Sequence, residues 1–265
     1  MTELDAGRMT FFEHLAELRS RIMRIAAAVL VGATVCFLLY ETIVGWLVKP
    51  YCDTLPVEES AAGILTRGRC GLLVTDPLEG FGLRMTISAY GGIILAVPVI
   101  LWQLWRFIAP GLYKHEKRFA LPFMFVGVVL FALGAGLAYW TLPRALEFLI
   151  EIGGPDLVTV YSARPYLSLV VKMMVAFGVG FEFPVLLAFL QMLNIVTPKK
   201  LASVRRYAIV GIVVLVAVIT PSGDPVSLLV LSVPMAIFYE ASILYGRLWQ
   251  RRKRRARGVA ATGTT

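Results

Sequence analysis

The stretch FGVGFEFPVLLAFL, residues 177–190, sets a single carboxylate, Glu182, in an otherwise apolar run. In water a lone glutamate would mark a solvent-facing turn, yet nothing on either side of this one suits water. What surrounds this part of the chain must therefore be settled first. Of the 265 residues, 58% are hydrophobic and only 16% charged, and the mean hydropathy is +0.76. A water-soluble domain of this length carries more polar surface than that. The apolar residues also come in blocks long enough to cross a bilayer as helix, which takes about 20 residues.

Six spans are expected: Ile22 to Val48, Leu83 to Trp105, Phe119 to Leu142, Tyr166 to Leu190, Tyr207 to Thr220 and Val226 to Tyr245. The runs are unbroken rather than alternating, which points to an all-α membrane protein and not a barrel. Residues 1–246 read as one transmembrane domain with an amino-terminal interfacial helix. Residues 247–265 read as a basic tail without fixed structure. The first apolar stretch is longer than a signal-peptide core and is preceded by acidic residues, so it is expected to stay in the protein. No solenoid period or low-complexity segment interrupts the pattern.

Basic residues orient the spans. All 26 Lys and Arg lie on one side except Lys49, Arg67, Arg69, Arg84, Arg144, Arg164 and Lys172, which fall outside or near the outer ends of spans. Both termini are therefore expected in the cytoplasm. The same count accounts for the net charge of +9. RRKRRAR at 251–257 reads as a juxtamembrane anchor for anionic lipid rather than a nucleic-acid site. Of the three cysteines, Cys36 lies within the first span. Cys52 and Cys70 share the first outer loop, where oxidation permits either a loop-closing disulfide or two free thiols, and the bridge is the expectation.

Three segments hold the polar chemistry. At the amino terminus, MTFFEHLAELRSRIMRI (9–25) carries a capping pattern, Thr10 with Glu13. Phe11, Leu15, Leu18 and Ile22 form a stripe suited to the membrane interface before the chain turns inward. Glu17 stands one turn before Arg21, the spacing of an ordinary exposed ion pair. In RFIAPGLYKHEKRFALP (106–122), Pro110-Gly111 breaks the second span, and Glu116 is a lone acid among Lys114, Lys117 and Arg118. HEKR is no zinc motif, because HExxH needs a second histidine where residue 119 is Phe. Nucleophile elbows, phosphate loops and dinucleotide fingerprints are missing as well. No catalytic residue, metal or cofactor is expected, and the glycines inside spans read as sites of close helix packing.

Glu182 differs in kind. A carboxylate at membrane depth costs roughly 2.5–3.5 kcal/mol on insertion scales. Lys172, about 15 Å away along a helix, is out of reach. Glu182 must be protonated, face a wet cavity, or meet a polar group on another chain. Pro184 should kink or loosen its helix. The fifth span is short, about 21 Å, and TPSGDPVS (220–227) reverses the chain, with Asp224 as turn residue or helix cap.

HLAELRSR (14–21), PVILWQLWRFIAPGLYKHEKR (98–118), FGVGFEFP (177–184) and TPSGDPVS, in that order, resemble the TatC family, the multispanning subunits of the twin-arginine protein translocase. The resemblance covers nearly the whole chain except its carboxyl tail. It implies a glove-like, concave fold of six transmembrane helices in the cytoplasmic (inner) membrane. It also implies a receptor that binds twin-arginine signal peptides of folded precursors and self-associates. Driven by the proton-motive force, such a receptor works with single-span TatA/TatB-type subunits. By the same resemblance Glu17, Arg19, Phe107, Pro110 and Glu116 belong to the signal-peptide surface, and Glu182 to the docking of partner subunits. Two guanidinium groups call for carboxylates, and Arg offers a fork that Lys cannot reproduce. One position departs from the family, since Leu228 stands where many relatives carry glutamine. The rival reading is an ion-coupled secondary transporter with Glu182 as proton relay, but it calls for inverted repeats that the two halves do not show.

Overall fold

The computed structural model describes residues 11–54, 72–108, 120–153, 161–192, 195–220 and 223–262, without the side chains of 11–14, 53–54, 107–108, 120 and 251–262. Its described residues are almost wholly helical: α1 (Phe11–Leu38), α2 (Tyr40–Thr54), α3 (Glu79–Ile108), α4 (Ala120–Gly153), α5 (Ala163–Met192), α6 (Pro198–Ser203), α7 (Arg205–Ile219) and α8 (Pro225–Thr262). Helices α1, α3, α4, α5 and α8 are long and apolar enough to cross a bilayer. Helix α7 has 15 residues, or about 22 Å, and supplies the short fifth span. All six spans of the sequence reading are present as helices.

Several boundaries differ for identifiable reasons. The amino-terminal segment is not a separate helix, because α1 runs unbroken from Phe11 to Leu38. No proline or glycine falls between residues 11 and 31 to stop it. The break comes deeper, at Leu39, so the expected first span is divided between α1 and α2. Arg84 of α3 bridges that break, donating to the Phe37 carbonyl at 3.0 Å. Its guanidinium also stacks over the rings of Phe37 and Tyr40. Pro184 lies inside α5 without ending it. Helix α8 continues to Thr262, past the boundary expected at residue 246, as its Arg-, Lys- and Ala-rich composition favours.

Helix α5 is the centre of the assembly, touching α2, α3, α4 and α8. Its Tyr166, Leu167, Met173 and Phe177 are fully buried, with Leu231, Met235 and Tyr239 of α8 in the same core. Helix α1 stands to one side and packs mainly on α3. That contact is backbone on backbone. A methyl group on Gly92 would lie 2.6 Å from the Ala33 nitrogen and 2.7 Å from the Val29 oxygen, so only glycine fits there. At the end of the bundle where α3 and α5 begin, two connections join: Leu73 pairs with Ser162 as an isolated bridge, and Ala163 N–H donates to the Leu73 carbonyl at 2.8 Å.

The seam gives a direct prediction. Gly92→Ala pushes two helix backbones apart and should cost about 1–3 kcal/mol, the range for overpacking. Gly136→Ala meets nothing within 4 Å and should be neutral or stabilising, as thermal unfolding in detergent would show.

Candidate functional site

Glu17 and Arg21 lie one turn apart on α1 and form an ion pair between Oε1 and Nη2. Sequence spacing suggested an exposed pair of little consequence. Instead Arg21 is only 8% exposed, and its Nη1 donates to the Gln103 carbonyl of α3 at 3.1 Å. One guanidinium thus holds a carboxylate of its own helix and a carbonyl of the next. The second oxygen of Glu17, Oε2, is buried and has no hydrogen-bond partner among the described residues. Arg19 points elsewhere on α1 and is exposed.

Gln103 is one turn before Phe107, so this bridge brings Glu17 beside the last turn of α3. Trp105 fixes that turn from the other side, with ring centroids 4.5 Å from Phe189 of α5 and 5.3 Å from Phe123 of α4. Phe107 is the penultimate residue of α3, and its side chain is not described. Pro110 and Glu116 lie outside the described residues. The end of α3 that leads to them is therefore anchored by Arg21 and by three aromatic rings.

Glu182 sits in α5 where α4 and α3 approach. A methyl group on Gly127 would come within 3.0 Å of its Oε2, and the same position is 3.0 Å from Leu101. Glycine at 127 leaves the room that the carboxylate occupies. Oε1 is buried without a hydrogen-bond partner among the described residues. The side chain as a whole is half-buried, so it has a route to the outside of the bundle. A cavity of about 390 Å³ opens a turn further on, between α4, α5 and α8, lined by Phe123, Val126, Pro184, Val185 and Phe238. It is apolar and does not contain Glu182.

Sequence reasoning passed over two carboxylates. Glu79 is 5% exposed and is the hub of the end where α3 and α5 begin. It accepts from Thr75 N and Thr75 Oγ1 at 2.8 and 3.1 Å, and from Ser162 Oγ and Arg164 N at 2.7 and 2.8 Å. Glu240 of α8 pairs with Arg205 at 2.7 Å and fastens the start of α7. Its place within the sixth apolar run was the available signal. Asp224 is the cap that the turn suggested, its Oδ1 accepting from Ser227 N at 2.6 Å. Cys52 is disulfide-bonded and Cys36 is a free, buried thiol. Cys70 lies outside the described residues. Among the described residues no group of three or more His, Cys, Asp or Glu side chains is placed to hold a metal ion.

The double duty of Arg21 is testable. Arg21→Ala strands a half-buried carboxylate and a carbonyl, and should cost about 1–3 kcal/mol. Arg206→Ala, at an exposed arginine, should change stability little. Thermal melts of the two variants would separate them.

The family profile described as "Sec-independent protein translocase protein (TatC)" matches residues 13–234. The curated TatC protein of Frankia casuarinae is 40% identical over 94% of this chain and 68% of its own length. That of Aquifex aeolicus is 39% identical over 93% of this chain and 98% of its own. Among solved structures, "Crystal Structure of Twin Arginine Translocase Receptor- TatC" superposes with a TM-score of 0.72 at 38% identity, covering 89% of this chain and 99% of that one. A long match to the profile, curated relatives near 40% identity and a shared fold agree. The chain belongs to the TatC family of Sec-independent protein translocase components, multi-pass membrane proteins and not enzymes.

Proposed function

We propose that this chain is the signal-peptide receptor of a twin-arginine translocase. It sits in the cytoplasmic membrane with both termini on the cytoplasmic side, as the distribution of Lys and Arg favours. The observation that carries the reading is the state of Glu17. Its carboxylate already grips one guanidinium through Oε1, while Oε2 is unpartnered among the described residues. A carboxylate of this kind beside the last turn of α3 suits a second guanidinium, that of an incoming signal peptide. Glu116, a few residues beyond α3, takes the other arginine. Arg19, Phe107 and Pro110 complete the surface, with Phe107 against the apolar part of the peptide.

Glu182 serves a second step. A half-buried carboxylate whose Oε1 has no hydrogen-bond partner among the described residues is suited to a polar group on a helix arriving from the side. The single-span TatA/TatB-type subunits supply that helix. The receptor self-associates, and the proton-motive force drives export of the folded precursor.

A photo-cross-linking residue at Phe107 tests the receptor. Labelling by a precursor with two arginines that fades when both become lysine is the expected result. Equal labelling, or none, overturns it. Glu17→Ala and Glu116→Ala should each weaken precursor binding about tenfold to a hundredfold, the loss of one charge-assisted pair. Glu182→Leu should leave that affinity unchanged and reduce cross-links to the single-span subunits; undiminished cross-links would remove the docking role.

A further inference from the structure

The outward side of α1, alongside its seam with α3, carries features that Glu17 does not use. Near its amino-terminal end a recess of about 590 Å³ is lined by Arg19, Ser20, Met23, Arg24 and Ala27. Arg19 and Arg24 are both exposed, and neither has an acidic partner among the described residues. Ala27 also lines a second recess, of about 460 Å³, that continues between α1 and α3 past Val31, Gly32, Val35, Leu95 and Val99. The two therefore form one groove, cationic at the membrane surface and apolar within the bilayer.

We infer that this groove is a binding site for one anionic phospholipid, with its phosphate between Arg19 and Arg24 and an acyl chain along α1 and α3. Charge decides the headgroup, because two exposed guanidinium groups without an acidic partner among the described residues attract anionic lipid at a membrane surface. Size decides the tail. Alanine at 27, 28 and 96 leaves a channel where larger residues would fill it. From Arg24 to Val35 the groove runs about 16 Å, close to one leaflet, half of the hydrocarbon core of about 30 Å. A partner's transmembrane helix would overrun it. The site does not depend on the receptor reading, since only Arg19 is shared between the two.

The test uses the full-length protein in mild detergent, with phosphatidylglycerol and phosphatidylcholine of matched chains, and bound lipid read by native mass spectrometry. Phosphatidylglycerol should be retained in preference to phosphatidylcholine. Arg19→Gln with Arg24→Gln should lower its retention about 30-fold, from two lost surface cations. The corresponding lysine pair should preserve it. Ala27→Trp keeps both arginines but blocks the channel, and should displace the lipid too. Arg206→Gln, at an exposed arginine of α7, should have no effect. The proposal fails if the Gln pair retains its lipid, or if inorganic phosphate alone competes as well as the phospholipid does. It fails equally if a cysteine at position 27 cross-links in native membranes to a protein helix, which would make this face a protein interface.

Discussion

Hydrocarbon offers no hydrogen bonds, so each polar group inside the bilayer must be answered by the protein itself. Most of this molecule obeys that constraint by local means. Thr34, Thr86 and Thr141 return their hydroxyls to the carbonyl four residues back, which satisfies them without leaving the helix. Arg84 is answered by a carbonyl and two aromatic faces. The hydroxyls of Tyr166 and Tyr239 reach the Leu47 and Leu201 carbonyls across helix boundaries. Against that background three carboxylates stand out, each with one buried oxygen that has no hydrogen-bond partner among the described residues: Glu182, Glu17 and Asp224.

How far this was legible in the sequence depended on the range of the interaction. Apolar blocks report directly on spans, and the last five expected spans are helices close to where hydropathy put them, while the first is divided between α1 and α2. The place of Glu182 was legible for the same reason, since an acid amid apolar residues is a local anomaly. Its bed against Gly127 was not, because that needs the relative position of α4 and α5. Glu17 shows the limit most clearly. At i, i+4 from Arg21 it looked like an exposed pair, and only the Gln103 carbonyl, 82 residues from Arg21, makes it an anchor. Its part in recognition came from family resemblance and not from spacing. The break at Leu39 was hidden because no proline or glycine marks it.

The end where α3 and α5 begin illustrates a different kind of long-range order. Glu79 collects four donors from two connections that are more than 80 residues apart in the chain. With the Leu73–Ser162 bridge it ties the entrance of α3 to the entrance of α5. Each of those bonds is unremarkable in sequence. Together they restrain two of the long helices at one end, while Arg21 and the rings around Trp105 restrain α3 at the other.

The uninterrupted course of α1 has a mechanical consequence. From Glu17 to Gly32 the helix is a rod of about 22 Å, without a joint that could absorb bending. A load at the Glu17 end therefore acts as torque on the place where Gly32 meets Gly92. That place has no side chains to yield, only two backbones in contact. The rod is held to α3 at two places, by Arg21 near its start and by the glycine contact further along, so a force at the Glu17 end is shared between them.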